Sequence, residues 1–240
     1  MALFFSCQKG VDENISVNAS AELRFHNIVG PVDLALNTPY TNPFGEEFVV
    51  TKLKYYITNI QLLNTSSNAR FDVSQSYFLV DEQDALSKTF NIQIPSGKYN
   101  AISFLIGVDS LHNVSGAQSG ALDPAKDMFW TWNSGYIMAK MEGNSPVSTL
   151  PNQMIEFHIG GFKGADNVVE RLTLNFPSEQ QLVEKGHLAI DISADIDAWF
   201  KSIHDLPISG NATCTSPGSL AKQYADNYGM MFSISSVVNR

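Results

Sequence analysis

Apolar residues recur at every second position along most of this chain, and that spacing does more than any other feature to restrict its fold. Ala21, Leu23 and Phe25 alternate with Glu22, Arg24 and His26 over Ala19 to His26, as in a strand with one face buried and one wet. Ile102, Phe104, Ile106 and Val108 repeat the pattern, as do Ile155, Phe157 and Ile159 within Gln153 to Phe162. Thr89 to Ile94, Val168 to Phe176 and Leu188 to Ser193 follow suit. Glu47 to Leu63 is rich in β-branched and aromatic residues and reads as one long strand, or two meeting near Tyr56. Pro95-Ser96-Gly97 and Gly30-Pro31 punctuate these runs.

No strand–helix–strand rhythm and no internal repeat accompanies the strands. Helical signals come late: Asp195 is placed to cap a short helix through Phe200, and Ser219 to cap Leu220 to Tyr228. The expectation is an all-β chain, an immunoglobulin-like, Greek-key β-sandwich with a long functional loop and two short C-terminal helices. Its 240 residues suit a single domain over 19–240, with 1–18 as leader remnant and tether.

Charge excludes some partners. The net charge is −9 and no basic run occurs, so nucleic acid, which is held through phosphate neutralisation, is not expected. Anionic membrane surfaces are disfavoured for the same reason. No apolar run approaches the roughly 20 residues needed to span a bilayer, which leaves a lipid anchor as the expected membrane contact. Met1 to Gly10 reads as the tail of an apolar signal segment with a small residue before Cys7. That arrangement resembles a bacterial lipoprotein cleavage site, with Cys7 acylated and Gly10 to Asn18 as the tether. Cys214 then has no intrachain partner, so no disulfide framework is expected.

Between two strands lies an unusually long connection, from Gly107 to about Gly143, too rich in aromatics for a disordered segment. Its densest run is Phe129-Trp130-Thr131-Trp132-Asn133-Ser134-Gly135-Tyr136. Both indoles fall on one side if the run is extended; they either plug the sandwich or line a site. P-loop, GxGxxG, HExxH, GxSxG and CxxC patterns are absent, so no nucleophile–base pair supports a hydrolase and no catalytic role is expected. Histidine, tryptophan and carboxylate remain. His26 and His158 project from the polar sides of their strands and could converge on one ion, or both could simply face solvent. His112 is a third ligand or a surface residue. Asp109, Asn113 and Asp123 suit calcium or turn-capping, and capping is preferred.

The runs GVD with HN, SGALDP, MFWTWNSGYI and FHIGGF, together with LRFHNIVG, TKLKYYITNIQL and the late CTSPG…AKQYADNY, resemble the methanobactin-associated periplasmic copper-binding proteins (MbnP-like). The likeness runs from about Ala21 to Phe232. It implies an extracytoplasmic β-sandwich, often lipid-anchored, that binds copper for acquisition or storage. It further implies a dihaem cytochrome c peroxidase-like partner that oxidises a tryptophan, Trp130 or Trp132, to kynurenine. Carried onto this chain it makes His26 and His158 copper ligands, with the kynurenine amine beside them, and Asp109 a residue that orients a ligand. The rival expectation is a surface module in which the indoles stack on a carbohydrate or protein.

Overall fold

Strand β1 (Ala19–Val29) buries Ala21, Leu23 and Phe25 and leaves Glu22, Arg24 and His26 on the other side, as its alternation requires. The computed structural model describes residues 16–116, 118–130 and 135–240; Cys7 and Trp132 lie outside them. The remaining main strands are β2 (Glu47–Asn64), β3 (Tyr77–Asp81), β4 (Thr89–Ile94), β5 (Gly97–Ile106), β6 (Gly135–Asn144), β7 (Met154–Gly160), β8 (Glu170–Leu182), β9 (His187–Asp195) and β10 (Phe232–Asn239). Helices are α1 (Ser110–Val114), α2 (Asp197–Phe200) and α3 (Ser219–Tyr228).

These strands form an all-β sandwich of two open mixed sheets. In the first, β10 pairs with β9 and β9 with β1, while β4 pairs with β1. β1 and β9 run parallel, from Ser20 beside His187 to Ile28 beside Asp195. Parallel partners need a crossover connection, and here most of the chain supplies it. The second sheet runs β8–β5–β2–β6–β7, with Thr213–Cys214 beyond β7 and β3 paired to β2.

The Glu47–Leu63 run forms one continuous strand. β2 pairs with β6 through Val49–Tyr55 and with β5 through Ile57–Leu63. The change of partner falls at Tyr56, where the composition had allowed a break. β5 thus ends, and β6 begins, near the middle of β2, and the long loop spans that gap.

Phe25 joins the two sheets. Its ring lies 6.3 Å from Tyr55 of β2 and 6.0 Å from Phe104 of β5, in edge-to-face geometry. Aromatic pairs of this kind add about 0.5–1.5 kcal/mol beyond the area they bury. A second aromatic group closes one end. Phe157, on the inner side of β7, lies 4.9 Å from Tyr224 of α3, and Trp199 of α2 lies 5.3 Å from Tyr228. These contacts hold β7 from inside and leave its other face for chemistry.

The helix starts differ from expectation. Ser219 is the first residue of α3 and makes no capping bond; Gly218, at φ 147°, precedes it. Asp195 does bind the backbone of Asp197, at 3.1 Å, but α2 begins one residue later than its capping role suggested, with Ile196 at the cap position. β10 escapes a pattern search because its serines blur the alternation.

Candidate metal centre

Antiparallel register sets a charged patch on the outer face of β2, β6 and β7. Lys54, Lys140 and His158 form one cross-strand row, and Lys52, Glu142 and Glu156 the next. Directly opposed side chains stand about 5 Å apart, close enough to bond. His158 Nε2 lies 2.8 Å from Glu142 Oε1 and 3.5 Å from Glu156 Oε1. Lys52 Nζ lies 3.1 Å from Glu142 Oε2. Glu142 is the hub: the His158 hydrogen bond first, then Lys52, outweigh burial and hold its carboxyl at about 2. Lys140 is almost fully buried, and its Nζ donates to the Asp127 carbonyl and lies 3.0 Å from Asp127 Oδ2. Asp127 adopts left-handed backbone at φ 63°, and Lys52 bonds the same carboxylate oxygen. Two strand lysines therefore pin the long loop across the patch.

The aromatic run returns to that patch. Phe129–Trp130 pairs with Gly135–Tyr136 at the start of β6, and a register shift sits between Ile137 and Ala139. Bulges of this sort re-aim side chains beside sites. The Trp130 ring lies over Gly160, where a Cβ would sit 2.5 Å from its Cζ3. Gly160 is two residues past His158, about 7 Å along the strand and on the same face. Gly161, at φ 129°, has left-handed backbone pressed against the Asp166 carbonyl. The adjacent glycines of FHIGGF thus have separate causes, one a ring and the other a backbone bend.

The loop carboxylates and amides act on backbone. Asp109 caps α1 by accepting from His112 N at 3.1 Å, and Asp123 accepts from Ala125 N at 2.9 Å. Asn113, buried, accepts from Tyr136 N at 2.9 Å and donates to the carbonyls of Val108 and Asp109. It ties α1 to the start of β6. Burial alone would raise the Asp109 carboxyl, but hydrogen bonds from Tyr77, His112 and Asn59 hold it at about 2. His112 bonds Asp109 and Tyr77 and makes no contact with the His158 patch.

His26 requires a correction. It and His158 stand on different sheets, and the faces that carry them point away from the shared core built around Phe25. His26 Nε2 bonds Asp191 Oδ1 of β9 at 3.1 Å and is half exposed. Among the described residues the two imidazoles share no partner, and the expected two-histidine set is not assembled. What joins His158 instead are Glu142 and Glu156, whose donor atoms all lie within 4.8 Å of one another. Neither carboxylate stood out as a ligand in the sequence; the available signal was their shared parity with His158 once β6 and β7 are paired. One imidazole nitrogen with carboxylate oxygens is a mixed donor set open to several divalent metals, copper among them.

A protein-family model described as MbnP matches residues 18–216. The chain belongs to the MbnP family. That match takes in β1 to β9 and the whole charged patch, and stops short of α3 and β10. MbnP from Methylosinus trichosporium, a solved structure, superposes with a TM-score of 0.50 at 15% identity, covering 82% of each chain. At that identity the likeness concerns the sandwich itself. No curated protein matches.

Proposed function

We propose that this MbnP-family chain is an extracytoplasmic copper-binding protein without catalytic turnover, acting in copper acquisition or storage. The ion would be held on the outer face of β6 and β7 by His158 Nε2 with oxygens of Glu142 and Glu156. The observation that carries this reading is the His158 imidazole, 2.8 Å from one carboxylate and two residues along its strand from the glycine that Trp130 covers. Copper, when bound, would draw on imidazole and carboxylate donors. Lys52 and Lys140 set how much negative charge Glu142 offers, and Asp127 keeps the loop over the patch. The family resemblance adds conversion of one indole of the Trp130–Trp132 run to kynurenine by a dihaem cytochrome c peroxidase-like partner. That oxidation, for which the partner enzyme and a peroxide co-substrate would supply the oxidant, cleaves the indole C2–C3 bond, leaves a ketone at C3 and releases C2 as formate, which frees an aniline nitrogen for the metal. A lipid anchor at Cys7 would keep the chain at the membrane; no helix among the described residues is long and apolar enough to cross one. Calcium at Asp109, Asn113 and Asp123 draws no support, since Asp123 caps its own turn and Asn113 is spent on two carbonyls and the Tyr136 amide.

Metal analysis of wild type and His158→Ala tests the reading, and retention of copper by the variant would remove it. Intact-mass spectrometry of protein from its native host, followed by peptide mapping, tests the kynurenine. A second reading, a carbohydrate- or protein-binding module, has one observation in its favour. A cleft of about 520 Å³ beside the loop is lined by Val114, Phe129, Phe162, Lys163 and Pro217. Copper-independent binding to a glycan panel, lost in Phe129→Ala, would favour that module.

A further inference from the structure

Three side chains outside the His158 patch meet at one point. Tyr77, the first residue of β3, directs its hydroxyl at Asp109, which caps α1, and the two oxygens are in close hydrogen-bond contact. His112 Nδ1 lies 2.8 Å from the Tyr77 oxygen and 3.1 Å from each Asp109 carboxylate oxygen. Asn59 Nδ2 completes the surround at 3.2 Å from Asp109 Oδ2. A phenol oxygen, a carboxylate oxygen and an imidazole nitrogen thus form a triangle about one point. An ion about 2.1 Å from each donor would sit to one side of that triangle, clearly out of its plane.

We propose that Tyr77, Asp109 and His112 are a second metal site, a three-donor face suited to ferric iron. Metal ligands bind deprotonated. Asp109 is already a carboxylate, the imidazole is neutral when its proton rests on Nε2, and only the phenol must give up a proton. The exchange is Tyr–OH plus Fe³⁺ giving Tyr–O–Fe plus H⁺, with no change of oxidation state. A phenolate and a carboxylate are hard anionic donors, which favour a small, highly charged ion over a soft one. They neutralise two of its three charges, and the open positions would take water or a small anion. Access is direct, since the His112 and Asp109 side chains are 30% and 22% exposed. An ion here would staple β3 to the start of the long loop, and the site shares no residue with the copper patch.

The test uses metal-stripped protein given one equivalent of ferric nitrilotriacetate, followed by desalting and visible spectroscopy. The expected result is one iron retained per chain with a phenolate-to-iron charge-transfer band. Tyr77→Phe should abolish the band, and His112→Gln should weaken iron retention about tenfold or more. His158→Ala should leave band and iron content unchanged, which separates this site from the copper reading. Absence of both iron and band in wild type, or a band that survives Tyr77→Phe, would overturn the proposal and leave a closed hydrogen-bond triangle. Should Tyr77→Phe not fold, His112→Gln decides alone: full iron retention in that variant would also overturn it.

Discussion

Replacing Gly160 by alanine would test whether the aromatic loop is seated beside His158 as described. The added Cβ would lie 2.5 Å from Trp130 Cζ3, 2.7 Å from Cη2 and 3.0 Å from the Tyr136 carbonyl oxygen. Carbon atoms pack best at about 3.5–4.0 Å, so the indole must retreat by about 1 Å. Trp130 is only 6% exposed, and the Tyr136 carbonyl keeps the strand from yielding the other way. Overpacking of this kind costs about 1–3 kcal/mol, or about 2–4 °C of Tm per kcal/mol in a domain of this size. Thermal and urea unfolding followed by tryptophan fluorescence would measure it. Because the cost is a clash with one ring, it should couple to that ring. Trp130→Phe, harmful alone, should be tolerated far better in the Gly160→Ala background, with a coupling of about 1–2 kcal/mol. Additive effects, or an unchanged Tm in Gly160→Ala, would refute the packing of Trp130 on Gly160.

Two further outcomes follow from the charges. Lys140→Met removes the buried ammonium from Asp127; since Asp127 is largely exposed and keeps Lys52, the expected loss is about 1–3 kcal/mol, with faster hydrogen exchange around Lys126 and Asp127. Asp197 carries its carboxyl at about 6, raised first by burial and then by Asp195, and its buried Oδ1 has no hydrogen-bond partner among the described residues. Because the folded value lies above the unfolded value of 3.8, folding favours the protonated acid. That contribution is complete below about pH 4 and is lost as pH rises through about 6. Asp197→Asn should therefore raise Tm by about 2–4 °C at pH 7.5, about 1 kcal/mol after discounting for solvent screening, and leave it unchanged at pH 4. A gain that is equal at both pH values would contradict the assignment.

The two-residue alternation made most strands legible, because burial of one face imposes that period whatever the partner. It made the fold class legible too, through the absence of intervening helices. Parity, however, is blind to which sheet a strand joins. His26 and His158 look alike in sequence, each polar on an apolar-faced strand, and only the pairing of β1 with β9 and of β7 with β6 sends them to opposite sides. The pairing of Glu142 with His158 was not legible, since it depends on the register of β6 after its shift at Ile137 and Ala139. Within FHIGGF, the reason for Gly160 lay in a ring thirty residues earlier in the chain. Asp109 and Asp123 were read correctly as turn caps, because an Asx side chain bonding nearby amides is a local property. The ring of contacts among Asp109, Tyr77 and His112 is not local, and composition offered no route to it.

Copper content per chain, measured side by side for wild type, His158→Ala and His26→Ala after equilibration with copper(II) and desalting, bears most directly on the function. One copper in wild type and in His26→Ala, with loss in a folded His158→Ala, is the predicted result. Full copper in His158→Ala, or loss in His26→Ala, would show that the metal is held elsewhere than on the outer face of β6 and β7.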